Sequence, residues 1–209
     1  SCMEKRDLNN NVVVAHISSA PNTLHPTNGL GSIRNFIFQY TQKRLIRPDL
    51  KTLKTIPQLV ESMPSVSKDG LKYTFRIKEG IEWDDGTPFT VEDVIFTIKV
   101  NKCPLTNNTN IRSFYKRIED IRTYPDSPRK FTLICNKKYY ANRFIFSTGL
   151  WMMQKNRRDP EDVFGQFTIS DFNDPEFQPA QHPELQAYMK AFNSGENGRN
   201  PDKLNGLGP

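Results

Sequence analysis

Polar and apolar positions alternate most regularly between Asp69 and Val100. Leu71, Tyr73, Phe75 and Ile77 interleave with Lys72, Thr74, Arg76 and Lys78. That is the period-2 pattern of a strand with one buried face. Asp69-Gly70, Glu79-Gly80 and Asp85-Gly86 punctuate it with turns, because Gly accepts positive φ and Asp tolerates it. Ile81-Glu82-Trp83 continues the alternation. From Val91 the period changes. Val91, Val94, Ile95 and Ile98 recur at helical spacing, with Phe96 widening the apolar face. Thr90 stands as N-cap, and Asp93 takes the capping-box position three residues on. The stretch predicts a β-β-α unit.

Weaker patterns predict the other elements. Residues 12–17 (VVVAHI) read as a strand buried on both faces. Residues 18–26 hold two prolines and end it. A helix is expected over 32–44, capped by Ser32, with Ile33, Phe36, Ile37 and Tyr40 on its inner face. Pro57 suits the first turn of a short helix. Residues 101–110 contain four Asn and a Pro and read as a solvent loop. Strands are expected from Ile118 and over 130–136, and a short amphipathic piece over 140–145. Val163, Phe164, Phe167 and Ile169 indicate that 159–180 docks on the body. Leu185, Tyr188, Met189 and Phe192 mark a helix over 183–192.

Composition narrows the function. The 209 residues carry 29 Lys and Arg against 23 acids, a net charge of +6 spread along the chain. No basic block marks a nucleic-acid arm, and KNRR at 155–158 is followed at once by acids, so it reads as a solvated face. No stretch approaches the roughly 20 apolar residues that span a bilayer. His16, His25 and His182 are scattered, Cys103 and Cys135 form no CxxC, and neither a zinc site nor a cofactor site is expected. No nucleophile elbow or HExxH occurs, and Asp84-Asp85 sits in a turn, so the chain reads as a non-enzyme. In an oxidising compartment Cys103 and Cys135 have the option of pairing.

The literal residues say more than their pattern. Asp69, Gly70, Tyr73, Thr74, Phe75, Gly80, Trp83, Asp85, Gly86, Pro88, Thr90, Asp93, Val94 and Phe96 stand at the spacing of a signature. It resembles that of the bacterial extracellular solute-binding proteins of family 5, the peptide and nickel binders of ABC importers. Pro21, Leu24 and Pro26 resemble the family's first loop, where Ala20 replaces the usual Glu and His25 the usual Asp. Leu204 to Pro209 resembles the motif that precedes the second lobe, so the resemblance makes this an N-terminal portion with that lobe absent.

The resemblance implies a mixed α/β fold of the periplasmic-binding-protein type II class. Residues 1–11 would be a tether, 12–47 and 147–209 the large lobe, and 48–146 an inserted small α+β subdomain. It implies a monomer that captures peptides or similar solutes in an interlobe cleft and delivers them to an ABC permease. Ser18, Ser19, Ala20, Pro21, Tyr115, Trp151 and Met152 are the expected cleft-lining residues. Ser1-Cys2 resembles a lipoprotein start, with Cys2 as lipid anchor of an extracytoplasmic protein. The alternative is a sensor or adhesin that uses the same fold without a transport partner.

Overall fold

The computed structural model describes residues 16–28, 31–49, 51–140, 142, 146 and 151–194. The expected strand over 12–17 lies mostly outside them, as do Cys2, most of 140–145 and the closing motif at 204–209.

The signature stretch forms the centre. Strand β4 (Lys72–Arg76) buries Tyr73 and Phe75, as the alternation predicts. Gly70, Gly80 and Gly86 all have φ between 68° and 80°. An L side chain is strained there, so each turn of the signature requires its glycine. Helix α2 (Val91–Lys102) follows the hairpin. An antiparallel four-stranded sheet runs in the order β3 (Ser65–Val66), β4, β6 (Lys130–Cys135), β5 (Ile118–Thr123). Register pairs Phe75 with Phe131 and Thr74 with Thr132. The two rings stack at 5.2 Å, and the two hydroxyls share a 2.8 Å hydrogen bond. A separate two-stranded ribbon joins β1 (Ile46–Pro48) to β2 (Thr55–Pro57).

Helix α2 has two buried faces rather than one widened face. Val91, Val94 and Ile98 pack with Tyr73, Phe75, Phe131 and Leu133 of the sheet. Phe96, Val100 and Cys103 join a second cluster with Met153, Val163, Phe164, Leu185, Met189 and Phe192. The remaining side of the helix stays open, with Glu92 exposed and Lys99 half-buried. Residues 159–180 do dock, as three short 3-10 turns that bury Val163, Phe164, Phe167, Ile169 and Phe172. A short helix α4 (Lys155–Arg158) precedes them, and helix α5 (Pro183–Asn193) closes over them.

Three expectations change, and one open option is decided. The helix at 32–44 is α1 (Ser32–Thr41), with Gly31 rather than Ser32 at its N-cap. It ends early because Lys43 O accepts the Met152 N–H and the Arg44 N–H binds Gln58 Oε1. Pro57 ends strand β2 instead of opening a helix, since its segment pairs with β1. The loop expected at 101–110 is mostly ordered packing: α2 runs to Lys102, and helix α3 (Thr109–Tyr115) is capped by Asn108, whose side chain accepts from Ile111 N–H. Cys103 and Cys135 are free thiols in different core clusters, with burial pushing both up to about 11.

Candidate functional site

Asp93 explains the signature's shape. Its Oδ2 accepts from Thr90 N–H at 2.9 Å and Trp83 Nε1 at 3.2 Å, while Oδ1 accepts from Lys155 N–H at 2.8 Å. One buried carboxylate thus ties the hairpin, the start of α2 and the later segment together. Burial pushes its pKa upward, against the pull of those donors. The KNRR run is tied in as well: Lys155 pairs with Asp162 at 2.9 Å and Arg157 approaches Asp84 and Asp85. Gln154 Nε2 also binds Asp85, and hydrogen bonds from Thr87 and Gln154 hold that carboxyl down at about 2.

That frame positions a second, more open arrangement along α1. The buried face of α1 is Arg34 and Phe38, not the apolar row expected from periodicity. Arg34 is only 6% exposed; its Nε donates to His25 O at 2.8 Å and a terminal nitrogen donates to Pro26 O at 2.5 Å. Its guanidinium lies 4.2 Å from the centre of the Phe38 ring. Phe38 meets the Trp151 ring edge to face at 5.6 Å, and the Arg44 guanidinium lies 3.5 Å over Trp151. Cation, ring, ring and cation follow one another from Arg34 and Phe38 on α1 to Trp151 and Arg44 beyond its C-terminal end. Such stacking is favourable, more so where water is excluded. Burial pulls both Arg34 and Arg44 down to about 10. The opposite side of α1 is open, with Phe36 38% and Tyr40 73% exposed.

A hollow sits at each end of this ladder. Ser19, Ala20 and Pro21 line a hollow of about 180 Å³ with Asn22, Thr23 and the start of α1. Ser18 is exposed beside it in the chain. At the other end, Gln39, Tyr40, Gln42, Arg44, Arg47, Gln58 and Trp151 line a cleft of about 390 Å³. Among the described residues that line it, none is acidic. The expected lining residues are therefore divided between two hollows. Tyr115 and Met152 lie behind them in the core, Tyr115 at 0% exposure, with no surface to offer a solute. Sequence reasoning missed Arg34, Arg44 and the three glutamines. The Arg34–Phe38 pair at i, i+4 was the available signal.

His25 shows how a departure from the family pattern is accommodated. Its Nδ1 accepts from Asn28 N–H at 2.9 Å and Thr27 N–H at 3.2 Å, the work a carboxylate would do. Its Nε2 donates to Phe192 O at 2.6 Å, which fixes a neutral ring. Burial pulls its pKa down to about 4. Among the described residues, no group of three or more His, Cys, Asp and Glu is placed to hold a metal ion, and no helix is long and apolar enough to cross a membrane.

The family model for bacterial extracellular solute-binding proteins, family 5 Middle, matches residues 54–209. The chain belongs to this family. It is 34% identical over 122 residues to Protein XP55 of Streptomyces lividans, covering 58% of this chain and 21% of that protein. It is 25% identical over 159 residues to the oligopeptide-binding protein AppA of Bacillus subtilis, covering 75% and 26%. Solved structures share its fold. The oligopeptide-binding protein of Thermus thermophilus, complexed with a pentapeptide, matches with a TM-score of 0.60 at 23% identity, covering 83% of this chain and 30% of that one. NikZ from Campylobacter jejuni, in complex with Ni(L-His), matches with a TM-score of 0.59 at 22% identity, covering 90% and 30%. The chain spans under a third of the length of these relatives. The fold is that of type II substrate-binding proteins, and these two neighbours hold a pentapeptide and Ni(L-His).

Proposed function

We propose that this chain supplies one wall of the solute-binding cleft of an ABC-importer binding protein. The observation that carries the reading is the cleft at the C-terminal end of α1, where Arg44 stacks on Trp151 and three glutamines line the wall. A concave site with a few polar groups and aromatic walls is what a small-solute site requires. Its amides match the donors and acceptors of a peptide main chain, and a carboxamide rim tolerates varied side chains. Ser19, Ala20 and Pro21 form a second contact region at the far end of the ladder. The neighbours bound to peptide and to Ni(L-His) support small solutes as the ligand class.

The rest of the reading is proposed with the family membership as its support. The protein acts as a monomer, outside the cytoplasm, held at the membrane through Cys2, and hands its solute to a permease. Residues 48–146 are the inserted subdomain, and the four-stranded sheet lies wholly within them. The test is mass spectrometry of solutes released by denaturing protein purified natively from its host. A ladder of short peptides is the expected result. Protein that carries nothing, or only a sugar, overturns the peptide reading.

A further inference from the structure

Six cations that stand apart in the sequence meet at one end of the four-stranded sheet. Lys68 lies in the turn before β4, and Lys72 opens that strand. Lys116 and Arg117 lead into β5, and Lys137 and Lys138 follow β6. Antiparallel pairing brings these strand ends together. Leu71 O accepts the Cys135 N–H at 2.8 Å, and Arg117 O accepts the Asn136 N–H at 3.0 Å. The Asn136 side chain donates to Lys116 O at 3.2 Å. Lys138 crosses the Gly70 turn so closely that a Cβ there would lie 3.1 Å from its Cγ. The five lysines are exposed and Arg117 is half-buried. None of these cations forms an ion pair among the described residues, whereas Arg76, Arg129, Lys155 and Arg157 do. Gathering them costs self-repulsion that an anionic partner relieves.

The acids beside them are fewer. Asp69 is engaged in its own turn, accepting from Ser67 Oγ and the Leu71 N–H, while Glu119 and Asp120 stand on β5. Aromatic side chains border the same end. The Arg117 guanidinium lies 3.9 Å over the Tyr139 ring, which meets the Tyr140 ring at 4.7 Å. Tyr140 is 91% exposed, and Phe114, two residues before Lys116, is 52% exposed.

We infer that this end of the sheet docks on an anionic bilayer surface. Lysines on flexible stems supply charge without a fixed hydrogen-bonding fork, which suits mobile headgroups. A tyrosine with an apolar body and a wet hydroxyl suits headgroup depth. A bilayer is also the anionic surface within reach of a protein held through Cys2, so the inference rests on that part of the proposed function. It gives the subdomain a task of its own, on residues distinct from those that line the cleft: orienting the tethered protein at the membrane.

The experiment measures co-sedimentation of the Cys2→Ser protein, which carries no anchor, with two kinds of vesicle. One holds phosphatidylglycerol and phosphatidylcholine in equal parts, the other phosphatidylcholine alone. Binding to the mixed vesicles only, weakening as salt rises from about 0.1 to about 0.5 M, is expected. One cation near such a surface is worth about fivefold in affinity. Lys68→Gln, Lys116→Gln and Lys137→Gln together are therefore expected to weaken binding about a hundredfold. The same charge change on other faces, Lys51→Gln with Lys54→Gln and Lys190→Gln, is expected to weaken it less than about threefold. Both sets are exposed, so both variants keep the natural urea midpoint. Equal binding to the two kinds of vesicle, or binding to neither, overturns the inference. Binding that survives the first triple change places the contact on another surface and also overturns it. An equal loss in both triple variants overturns it by tracing binding to net charge alone. Tighter binding to poly-glutamate or to a short DNA duplex than to the mixed vesicles overturns it in favour of an acidic protein or a nucleic acid. The assay involves no solute, so its failure leaves the solute-binding reading intact, and failure of that reading leaves the vesicle result unchanged.

Discussion

His25 makes a pH-dependent stability that can be worked out from its partners. Nδ1 accepts two backbone N–H groups and Nε2 donates to Phe192 O, so a second ring proton has nowhere to go without breaking the Nδ1 contacts. Arg34 and Arg158 add positive charge nearby. The native state therefore favours the neutral ring, with the pKa pulled from 6.5 to about 4, mainly by burial. A lowered native pKa means the unfolded chain binds the proton more readily in that window. Stability from this group is fully present above about pH 6.5 and is lost as pH falls toward 4. At about pH 4.5 the loss is roughly 2–3 kcal/mol, and below pH 4 it levels off at roughly 3 kcal/mol, at about 1.4 kcal/mol per unit. Urea unfolding followed by tryptophan emission at pH 7.5 and about 4.5, on the natural protein and on His25→Asn, isolates the term. The natural protein is expected to lose roughly 2–3 kcal/mol more than the variant across that range. An NMR titration locates the ring pKa directly. A His25 resonance that titrates near 6.5, or equal pH-dependent losses in both proteins, would refute the reasoning.

Other changes test the frame. Asp93→Ala leaves the buried Trp83 Nε1 and the part-buried Thr90 and Lys155 N–H groups without their acceptor and is expected to cost about 2 kcal/mol in urea unfolding, with a shift in Trp83 emission. Lys102 donates to Tyr115 O, Ile118 O and Asn173 Oδ1, and burial pulls its amine from 10.5 to about 8. The native state thus favours the neutral amine, so stability from this group rises between about pH 8 and 10.5 by about 3 kcal/mol; comparison with Lys102→Met at both ends of that window should show the rise only in the natural protein. Phe164→Ala removes a ring that edges against Phe96, Phe172 and Tyr188 and is expected to cost about 3–5 kcal/mol, whereas Phe114→Ala, at an exposed position, should stay within about 0.5 kcal/mol on the same denaturation curve.

The signature stretch was legible because its information is local. Alternation in Tyr73 and Phe75, glycines at turns that need positive φ, and Asp93 three residues after Thr90 each act within a few residues. The residue identities also carried the family and the fold class. The helix at Leu185 to Phe192 and the docked Phe164 and Phe167 were legible for a similar reason, since their apolar residues have few other places to go.

Tertiary structure decided what depended on distant partners. Periodicity placed Phe36 and Tyr40 of α1 inward, yet Arg34 and Phe38 are buried, because two carbonyls at 25 and 26 and the Trp151 ring await them. Pro57 became a strand end because β1 was there to pair with it. Tyr115 looked like a cleft aromatic and became core, because α3 turns it into the sheet's apolar cluster. The Arg44–Trp151 stack joins residues more than a hundred positions apart, and no local pattern encodes it. By itself the sequence determined the turns, the period of each regular segment and the family. The three-dimensional packing determined which face of each segment is buried and which cations meet in the cleft, since burial and charge pairing are properties of neighbours in space rather than along the chain.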